Sequence, residues 1–356
     1  MSDDLLVQSH TGPYRVIFDE GLLGALGRVA TAECHVLVDA NIARLYAEPL
    51  RDILANPQTL QIEATEENKS IERIVDVIRL LVDNRIRRHH TLVAIGGGVI
   101  QDITCFIAST LLRGVNWRFI PTTLLAQADS CIGSKSSVNL GSTKNILGTF
   151  HPPCEVHLCT GFLDTLEEKD VRSGIGEIIK VHAIDSANSY DRLASDFGRM
   201  ATDRELLRTY IHGALRIKQR FIEADEFDRG IRNVFNYGHS FGHAIESATD
   251  FAVPHGVAVT MGMEIANRVS TLRGTLSEAN YRRMRPMLIE NCGAFALTPV
   301  AVDSLLAALA KDKKNTTDRL VVILPVGDHA AITRVEIAND AAFRQQCEAA
   351  LAGLRV

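Results

Sequence analysis

The segment from Arg232 to His243 carries the residues best suited to chemistry, because it places two imidazoles four positions apart. His239 and His243 form this pair, and Asn236 and Arg232 precede them at similar spacing. On one continuous helix these four side chains would share a face. Two imidazoles at this spacing can share a metal ion or a phosphate, and an arginine with an amide suits an oxyanion. A histidine pair alone is weak evidence, since packed or surface pairs are common.

A third histidine and a charged pair strengthen the metal hypothesis. His255 follows in Val-Pro-His-Gly, and Glu177 and Lys180 share one face of an apolar predicted helix. Buried charges need partners, but a surface salt bridge would explain this pair equally well. The alternative is that Glu177, His239 and His255 bind a metal. One carboxylate and two imidazoles with an open position are typical of a zinc hydrolase site.

A glycine-rich segment is typical of a phosphate-binding turn. Thr91 to Asp102 reads as a strand followed by three glycines, and it leads into a helix predicted over Ile103 to Leu112. This order brings a backbone close to a pyrophosphate at a helix N-terminus. The pattern is not GxGxxG, because Gln101 stands where a later glycine is expected. A tight packing turn therefore explains the glycines as well.

Scattered carboxylates and cations extend the candidates. Asp39 ends a predicted strand, where a carboxylate commonly accepts ribose hydroxyls, although helix capping explains Asp39 and Asp102 too. Candidates for holding ribose, phosphate and nicotinamide are Asp39, Asn41, Glu66, Lys69, Asp102 and Thr123. Candidates for binding an anion are Arg113, Lys135, Lys144, Asn145, Lys218 and Lys313. Each cation alone is most often solvated, but several converging would suit a small polyanion such as a phosphorylated acid.

Composition is that of a soluble globular protein. The chain has 356 residues, 46% apolar and 23% charged, with a formal net charge of -5. This length predicts two domains, and the charge gives no indication of nucleic acid or an anionic membrane as a partner. No apolar run is long enough to span a bilayer, and the acidic start lacks the features of a signal peptide. The 7 cysteines include no CxxC pair, which indicates free thiols in a reducing cytoplasm.

Periodicity divides the chain near Leu166 into an α/β half and a helical half. Beyond the glycine segment, the first half has predicted strands at Tyr14–Phe18, His35–Asp39, Trp117–Thr123 and Glu155–Cys159, and predicted helices at Glu20–Ala30 and Ile71–Asn84. This alternation predicts a mostly parallel sheet, and the weakly periodic residues 126–150 are predicted to form a long functional loop. The second half has predicted helices at Lys169–Ala187, Arg204–Ala224, Asn236–Ala248, Gly256–Leu272, Glu278–Asn291 and Ala301–Lys311, and one predicted strand at Arg319–Pro325.

Nine motifs, in order along nearly the whole chain, can be compared with a known family. They are Gly96-Gly-Gly-Val-Ile-Gln-Asp102, Arg113-Gly, Pro121-Thr-Thr-Leu-Leu-Ala-Gln-Ala-Asp129, Lys135-Ser-Ser-Val-Asn, Lys144-Asn, Gly176-Glu-Ile-Ile-Lys180, Arg232 to His243, His255-Gly and Asp312-Lys-Lys. Each is weak alone, but together they closely resemble the 3-dehydroquinate synthase family. The resemblance implies an NAD-binding α/β domain over residues 1–166 and an all-helical metal- and substrate-binding domain over residues 167–356, with the active site between them.

The resemblance also implies roles for individual residues. The metal ligands would be Glu177, His239 and His255, holding a divalent ion such as zinc or cobalt. NAD would contact Asp39, Asn41, Glu66, Lys69, Gly97, Gly98, Val99, Asp102, Thr122, Thr123, Asp129, Lys144 and Thr165. The substrate would contact Arg113, Asp129, Lys135, Asn145, Lys180, Lys218, Arg232, Asn236, His243 and Lys313. In the family this arginine comes from a second subunit, which implies a homodimer.

The implied reaction converts a heptulosonate phosphate into a carbocycle. NAD oxidises one hydroxyl, phosphate is eliminated from the acidified neighbour, the ketone is reduced again, and an aldol step closes the ring. The metal polarises the oxygen being oxidised, and the substrate's own phosphate is thought to act as the base. The protein mainly positions the substrate and stabilises charge.

Departures from the family pattern leave the substrate open. Ser134, Ser136 and Ser137 stand where the usual synthase has Gly, Thr and a small apolar residue, Gln101 and Cys105 replace small residues, and Thr65 replaces a common Gly. Related cyclases act on sedoheptulose 7-phosphate or glucose 6-phosphate, and an amino analogue of the usual substrate also fits. Arg232, Lys218 and Asn236 favour a carboxylated substrate, because the other cyclases lose the arginine.

Two readings from other classes compete with a cyclase. Glycerol dehydrogenases share this architecture and a related metal site, so a metal- and NAD-dependent polyol dehydrogenase is the second hypothesis. A polyol has neither phosphate nor carboxylate, so it would not need so many anion-binding residues. A catalytically inactive binding module is the third hypothesis, and the complete set of candidate ligands argues against it.

Overall fold

The computed structural model describes residues 4–141, 143–310 and 318–355. The chain forms two compact units. The first comprises Met1–Leu166 together with Lys218–Phe227, and the second comprises Glu167–Ile217 together with Asp228–Val356. No single helix among the described residues is long and apolar enough to cross a membrane, although one bent pair, Glu278–Leu297 with Val302–Ala310, meets the criteria of length and composition.

The first unit is built on a seven-stranded sheet. Its strands and those of a separate hairpin are β1 (Leu5–Val7), β2 (Tyr14–Phe18), β3 (Cys34–Asp39), β4 (Thr59–Ile62), β5 (Thr91–Gly96), β6 (Asn116–Pro121), β7 (Lys135–Leu140), β8 (Thr143–Phe150) and β9 (Glu155–Leu158). The sheet order is β1-β2-β9-β6-β5-β3-β4. All its pairings are parallel except β1 with β2, so the predicted mostly parallel sheet is confirmed.

The winding of this sheet reverses between β3 and β5. The chain passes from β3 outward to β4 and then returns to place β5 on the other side of β3. Ligands of open α/β sheets bind at the carboxyl ends of the strands where the winding reverses in this way. Here β3 ends at Asp39 and β5 ends at Gly96. The fold therefore brings two of the predicted motifs to this position.

Among the described residues of this unit, four α-helices connect the strands: α1 (Ala40–Leu45), α2 (Arg51–Leu54), α3 (Ile71–Asp83) and α4 (Gly98–Thr110). The predicted helix at Ile71 is confirmed. The predicted helix over Glu20–Ala30 is wrong, because two 3-10 turns, Leu22–Gly24 and Leu26–Arg28, replace it. Glycine is a poor residue for helix interiors, and this segment contains Gly21, Gly24 and Gly27.

The predicted long loop over residues 126–150 is also wrong. A π-helical turn, Ala126–Ser130, precedes the antiparallel hairpin of β7 and β8. The pairing register of this hairpin shifts between Val138 and Leu140. Most of β8 is exposed, so its side chains show no alternation of buried and exposed positions from which a strand could be predicted.

The second unit is helical, as predicted, with an added hairpin. Its elements are α5 (Glu168–Asp185), α6 (Ala187–Met200), most of α7 (Arg204–Ala224), α8 (His239–Ala248), α9 (His255–Leu272), α10 (Glu278–Cys292), α11 (Val302–Ala310), β10 (Arg319–Val326), β11 (Ala331–Ala338) and α12 (Ala341–Leu354). The sequence predicted β10 but missed β11, its antiparallel partner, and also missed α6 and α12. β11 is largely exposed, and Ile337 is its one buried residue.

Candidate active site

Three helices of the second unit bring Glu177 together with three histidines. Glu177 Oε1 lies 3.4 Å from His255 Nε2 and 3.7 Å from His239 Nε2. A nitrogen of His243 joins those of the other two histidines, all within 4.8 Å of one another. Glu177 is buried, His239 and His255 are half-buried, and His243 is exposed. Carboxylate and imidazole groups therefore meet at one point of this unit.

Glycines allow these helices to approach closely. A Cβ on Gly176 would lie 2.1 Å from the carbonyl oxygen of Gly256, so α5 and α9 meet backbone to backbone beside Glu177 and His255. Gly238, which precedes His239, has a φ of +77°, and a Cβ there would lie 2.5 Å from Val259 O. That left-handed backbone favours glycine. The distances between the candidate metal ligands thus depend on Gly176 and Gly238, where there is no room for a larger side chain.

The prediction that Arg232, Asn236, His239 and His243 share one helical face is wrong. The helix begins at His239, and Arg232 and Asn236 lie in a preceding 3-10 turn, Ile231–Asn236. The left-handed Gly238 separates the two segments, so the i, i+4 argument holds only for the two histidines. Arg232 is nevertheless buried, and Asn236 donates through Nδ2 to Asn233 O at 3.1 Å.

Lys180 places a buried positive charge beside the carboxylate. Its Nζ lies 2.5 Å from Glu177 Oε2 and 5.4 Å from the centre of the Phe235 ring. Burial would raise the pKa of Glu177, but Lys180, His239 and His255 outweigh it and hold that pKa well below its usual range. Burial, aided by Lys180, lowers the pKa of His239 well below its usual value. Glu177 is therefore an anion and His239 a neutral imidazole, which are the forms that bind a metal.

Acceptors on the far sides of the rings orient two of the imidazoles. Glu246 Oε1 lies 3.2 Å from His255 Nδ1, and the carbonyl oxygen of Tyr237 lies 3.3 Å from His239 Nδ1. Burial would lower the pKa of His255, but the Glu177 and Glu246 carboxylates outweigh it and raise that pKa to about 10. At this pKa, His255 carries protons on both ring nitrogens until a metal displaces the one on Nε2. The Nδ1–H donated to each acceptor directs the Nε2 of both rings toward Glu177. Sequence reasoning missed Glu246, although it lies one turn after His243.

These residues fit a divalent metal. Among the described residues, Glu177 Oε1 has no hydrogen-bond partner of good geometry, although it is buried and faces two imidazoles. A buried anionic oxygen in that position is costly unless a cation binds it. Carboxylate and imidazole ligands suit zinc, and cobalt binds comparable sites.

In the first unit the glycine turn adjoins the end of β3. Gly97 precedes α4, which begins at Gly98, five residues earlier than predicted. A Cβ on Gly96 would lie 3.3 Å from Asp39 Cβ, and a Cβ on Gly97 would lie 3.0 Å from Thr123 Cγ2. At Gly98, a Cβ would have no described atom within 4 Å. Space is therefore open beside Gly98 at the start of α4, and phosphate binding at this helix N-terminus stays a prediction.

Asp39 caps a helix, as the simpler reading of the sequence proposed. It accepts a hydrogen bond from the backbone N–H of Asn41 at 2.9 Å, and burial raises its pKa. One carboxylate oxygen can cap the helix while the other accepts a ligand hydroxyl, so both readings remain compatible with this position.

Lys69 joins three other predicted residues of the first unit. Its Nζ lies 3.3 Å from both Glu66 Oε1 and Asp102 Oδ2, and it donates to Asn145 Oδ1 at 3.0 Å. Burial raises the pKa of Asp102 despite the Lys69 ammonium, whereas Lys69 and Asn139 outweigh burial at Glu66 and lower its pKa. Asp102 does not cap a helix here, since it lies inside α4.

A second ion pair in the first unit joins Lys218 with Asp129. Lys218 Nζ lies 2.7 Å from Asp129 Oδ1 and donates to the Asp129 carbonyl oxygen at 2.5 Å. The neighbouring Ser130 and Gln101 exchange two hydrogen bonds of 2.6 Å each, which ties this π-helical turn to α4. Gln101 therefore fixes the backbone beside Asp129, a role that its departure from the family pattern could have suggested.

The other predicted residues are distributed as follows. Val99 lies in the first turn of α4, and Arg113 is exposed after that helix. Thr122 is buried after β6, and Thr165 Oγ1 lies 3.1 Å from Tyr46 OH. Lys135 and Lys144 lie in the β7–β8 hairpin. Lys313 lies outside the described residues. Convergence of the cations on one anion stays a prediction.

Comparison with known proteins covers most of the chain. The 3-dehydroquinate synthase N-terminal family matches residues 59–173, and the 3-dehydroquinate synthase C-terminal family matches residues 174–315. A 3-dehydroquinate synthase of Alkaliphilus metalliredigens is 31% identical over 332 residues, covering 91% of this chain and 93% of that protein. The 3-dehydroquinate synthase of Idiomarina loihiensis is 34% identical over 318 residues, covering 88% and 89%.

Solved structures of cyclases have the same fold. The 2-epi-5-epi-valiolone synthase of Streptomyces hygroscopicus, solved with NAD⁺ and Zn²⁺ bound, is 29% identical with a TM-score of 0.78, covering 96% of both chains. A 2-deoxy-scyllo-inosose synthase complexed with carbaglucose-6-phosphate, NAD⁺ and Co²⁺ is 22% identical with a TM-score of 0.80, covering 97% of this chain and 99% of that one. Together with the family matches, these similarities establish that the chain belongs to the 3-dehydroquinate synthase family.

Proposed function

We propose that the protein is a phosphate-eliminating carbon–oxygen lyase that converts 3-deoxy-D-arabino-heptulosonate 7-phosphate into 3-dehydroquinate and phosphate. The observation that carries this proposal is the buried cation beside the metal candidates. Lys180 contacts Glu177 and lies beside the ring of Phe235. Phe235 belongs to the same 3-10 turn as the buried Arg232. Buried cations beside a metal suit a substrate that brings negative charge of its own.

The two halves of the sequence have different tasks in this proposal. Residues 1–166 form the NAD-binding domain, with the pyrophosphate at the start of α4 and the ribose at Asp39. Residues 167–356, apart from Lys218–Phe227, which belong to the first unit, form the domain that binds metal and substrate. The NAD⁺ bound to the valiolone synthase supports the first assignment, because that relative shares the fold over nearly its whole length.

We assign Glu177, His239 and His255 as metal ligands and zinc as the metal. The three groups meet in the second unit, and Zn²⁺ is bound in the valiolone synthase. His243 is more exposed than the other two imidazoles, so we assign it to the substrate. Bound NAD and zinc supply reversible hydride transfer and polarisation of the oxygen that is oxidised.

The chain's own residues position the substrate and stabilise its charge. Arg232 offers a planar pair of donors to the substrate carboxylate, and Lys180, Lys135 and Lys218 offer ammonium groups to phosphate or ring oxygens. Asn145, Asn236 and His243 complete the contacts with substrate hydroxyls. This division leaves the protein mainly with orientation and electrostatic stabilisation, which are the largest contributions enzymes make.

A homodimer in the cytoplasm belongs to the same proposal. Arg113 is exposed, and its φ of +66° is a left-handed backbone conformation that is uncommon outside glycine. We propose that it enters the active site of a second subunit.

Coexpressed Arg113→Ala and Lys180→Ala chains should then recover about a quarter of wild-type activity, because mixed dimers keep one intact site. Failure to exceed the activity of either variant alone would place Arg113 in its own subunit's site. The free cysteines suit a reducing compartment.

The substrate is the decisive test of this function. We would compare kcat/KM for 3-deoxy-D-arabino-heptulosonate 7-phosphate, its amino analogue and sedoheptulose 7-phosphate, with products identified by mass. We expect the carboxylated substrate to be preferred, and Arg232→Ala to reduce that preference by about 100-fold, as expected for a lost charge-assisted contact. Preference for sedoheptulose 7-phosphate would be consistent with a cyclase but would show that the proposed substrate is wrong. A polyol oxidised with accumulation of NADH would favour the dehydrogenase hypothesis.

A further inference from the structure

Ser137 and Lys69 meet at the side chain of Asn145. Lys69 Nζ donates to Asn145 Oδ1 at 3.0 Å, and Ser137 Oγ donates to the same oxygen at 3.0 Å. An ammonium group has donors only, so the part of the amide that faces Lys69 has to be its oxygen. The polarity of the Asn145 amide therefore follows from its partners. Among the described residues, no hydrogen bond is formed by Nδ2.

The backbone around Asn145 is held in place as well. Asn145 has a φ of +52°, a left-handed conformation that asparagine tolerates better than most residues. Its N–H donates to Asn139 Oδ1 at 2.8 Å, and Asn139 Nδ2 donates to Glu66 O and Oε2 at 3.0 and 3.1 Å. Asn139 lies where the pairing register of the hairpin shifts, between Val138 and Leu140.

Ser137 also links this amide to a residue proposed to bind the cofactor. Its backbone N–H donates to Asp102 Oδ1 at 3.0 Å, and its Oγ lies 3.3 Å from Asp102 Oδ2. The hydroxyl has one proton, and the shorter contact is with Asn145. Asp102 keeps the backbone N–H and the Lys69 ammonium as donors without it. The hydroxyl is thus more important for Asn145 than for Asp102.

We propose that Ser137 is a positioning residue for substrate binding, which together with Lys69 fixes Asn145 as a hydrogen-bond donor to a substrate oxygen. This inference rests on the proposed function only in taking Asn145 as a substrate contact. It gives a task to a serine that replaces a small apolar residue of the usual synthase. The oxygen that Nδ2 meets belongs to a hydroxyl, carboxylate or phosphate of the keto-sugar phosphate.

The first test separates substrate binding from turnover at Ser137. We expect Ser137→Ala to raise KM for 3-deoxy-D-arabino-heptulosonate 7-phosphate about fivefold, the usual effect of one lost hydrogen bond, with kcat and the Kd of NAD within twofold of wild type. Ser137→Thr keeps the hydroxyl and should restore the wild-type KM. An unchanged KM in Ser137→Ala, or an equal loss of NAD affinity, would overturn the proposal.

The second test examines the polarity of the amide. If Nδ2 faces the substrate, Asn145→Asp should be more damaging than Asn145→Ala, because a carboxylate replaces the donor and repels an anion. If Oδ1 faces the substrate instead, Asn145→Asp should be the milder change, and the proposal is wrong. Wild-type enzyme is assayed in parallel. Its failure to turn over any keto-sugar phosphate would contradict the proposed function, whereas altered ranking of the variants contradicts only this inference.

Discussion

His255 has a partner on each of its ring nitrogens, and this makes Glu246 the residue to change first. Glu246 accepts at Nδ1, and Glu177 faces Nε2. We expect Glu246→Gln to weaken zinc binding about tenfold or more, because the amide is a poorer acceptor and holds the ring less firmly. Chelator competition on the purified protein measures this without any activity assay.

The matched control for Glu246 is Asp250, an exposed carboxylate one turn further along the chain. Asp250→Asn removes the same charge without contacting an imidazole, so zinc affinity should stay within twofold of wild type. Equal weakening by both variants would indicate a general charge effect and contradict the orienting role of Glu246.

Either His255 or His243 could be a metal ligand together with His239, and variants of each distinguish the two cases. We expect His255→Ala to lose zinc during dialysis and His243→Ala to retain it, although both should lose activity. The reason is that Glu177 contacts the imidazoles of His239 and His255, whereas His243 is exposed. Metal content of the dialysed proteins is the measurement, and loss of zinc from His243→Ala would move His243 into the ligand set.

Single residues could be predicted where one local pattern carried the chemistry. The two histidines at i, i+4 and the carboxylate of Gly176-Glu-Ile-Ile-Lys180 were found from spacing, and the structure brings them together. Glu246, Ser137 and Gln101 were not assigned roles, because their partners lie on other elements. Hydrogen bonds over 29 residues, as between Gln101 and Ser130, leave no periodic trace in a sequence.

At the scale of elements, the contact of α5 with α9 depends on Gly176. A Cβ there would overlap the Gly256 carbonyl oxygen at 2.1 Å. We expect Gly176→Ala to reduce stability by about 1–3 kcal/mol through overpacking. It should also weaken zinc binding, since Glu177 and His255 lie on the two helices. Thermal unfolding and chelator competition provide the two measurements.

Gly198 in α6 is the control for that substitution. A Cβ at Gly198 meets no described atom within 4 Å, so Gly198→Ala should raise stability by about 0.5–1 kcal/mol through helix propensity alone. If Gly176→Ala were as stable as wild type with unchanged zinc affinity, the close approach of α5 and α9 would not be required.

The packing of α9 on α10 buries an acid whose ionisation should weaken the fold. Burial raises the pKa of Glu264 to about 7, although Tyr281, Arg285 and Arg268 oppose this. A raised folded pKa means that the folded state binds the extra proton between pH 4.5, the ordinary value, and about 7. The stability contributed by this group is therefore present at low pH and lost as the pH rises through that range.

Glu264→Gln removes this ionisation and should therefore remove the loss of stability that accompanies rising pH. The stability of the variant relative to wild type should increase from pH 5 to 7, by up to about 1.4 kcal/mol for each pH unit. Unfolding of both metal-free proteins across this range is the measurement. A constant difference between the two proteins would show that Glu264 does not titrate there.

Elements were predictable where burial is periodic. The strand β2 and the helices α3 and α7 have alternating or one-sided apolar patterns, and their positions follow from the sequence. Exposed elements such as β8 and β11 lack that pattern and were missed. The break at Gly238 was missed for a different reason: a single left-handed glycine interrupts a helix without altering the periodicity around it.

For the whole molecule, the amino-acid sequence alone is enough to recognise the family, because nine ordered motifs constrain both halves of the chain. It is not enough to predict the strand order in which the winding reverses between β3 and β5, since parallel pairing joins strands distant in sequence. The two parts of the proposed site, the glycine turn with Asp39 and the Glu177–histidine cluster, each lie within one unit. The proposed function requires them to act in one reaction.

The measurement that tests this claim most directly follows phosphate and NADH together. Enzyme loaded with NAD⁺ and Zn²⁺ is mixed with excess 3-deoxy-D-arabino-heptulosonate 7-phosphate, while phosphate release and absorbance of the reduced cofactor are recorded. The proposed function predicts many equivalents of phosphate per enzyme with no net NADH, because the oxidation is reversed within each turnover. NADH accumulating in step with substrate consumption, or turnover without phosphate release, would contradict it.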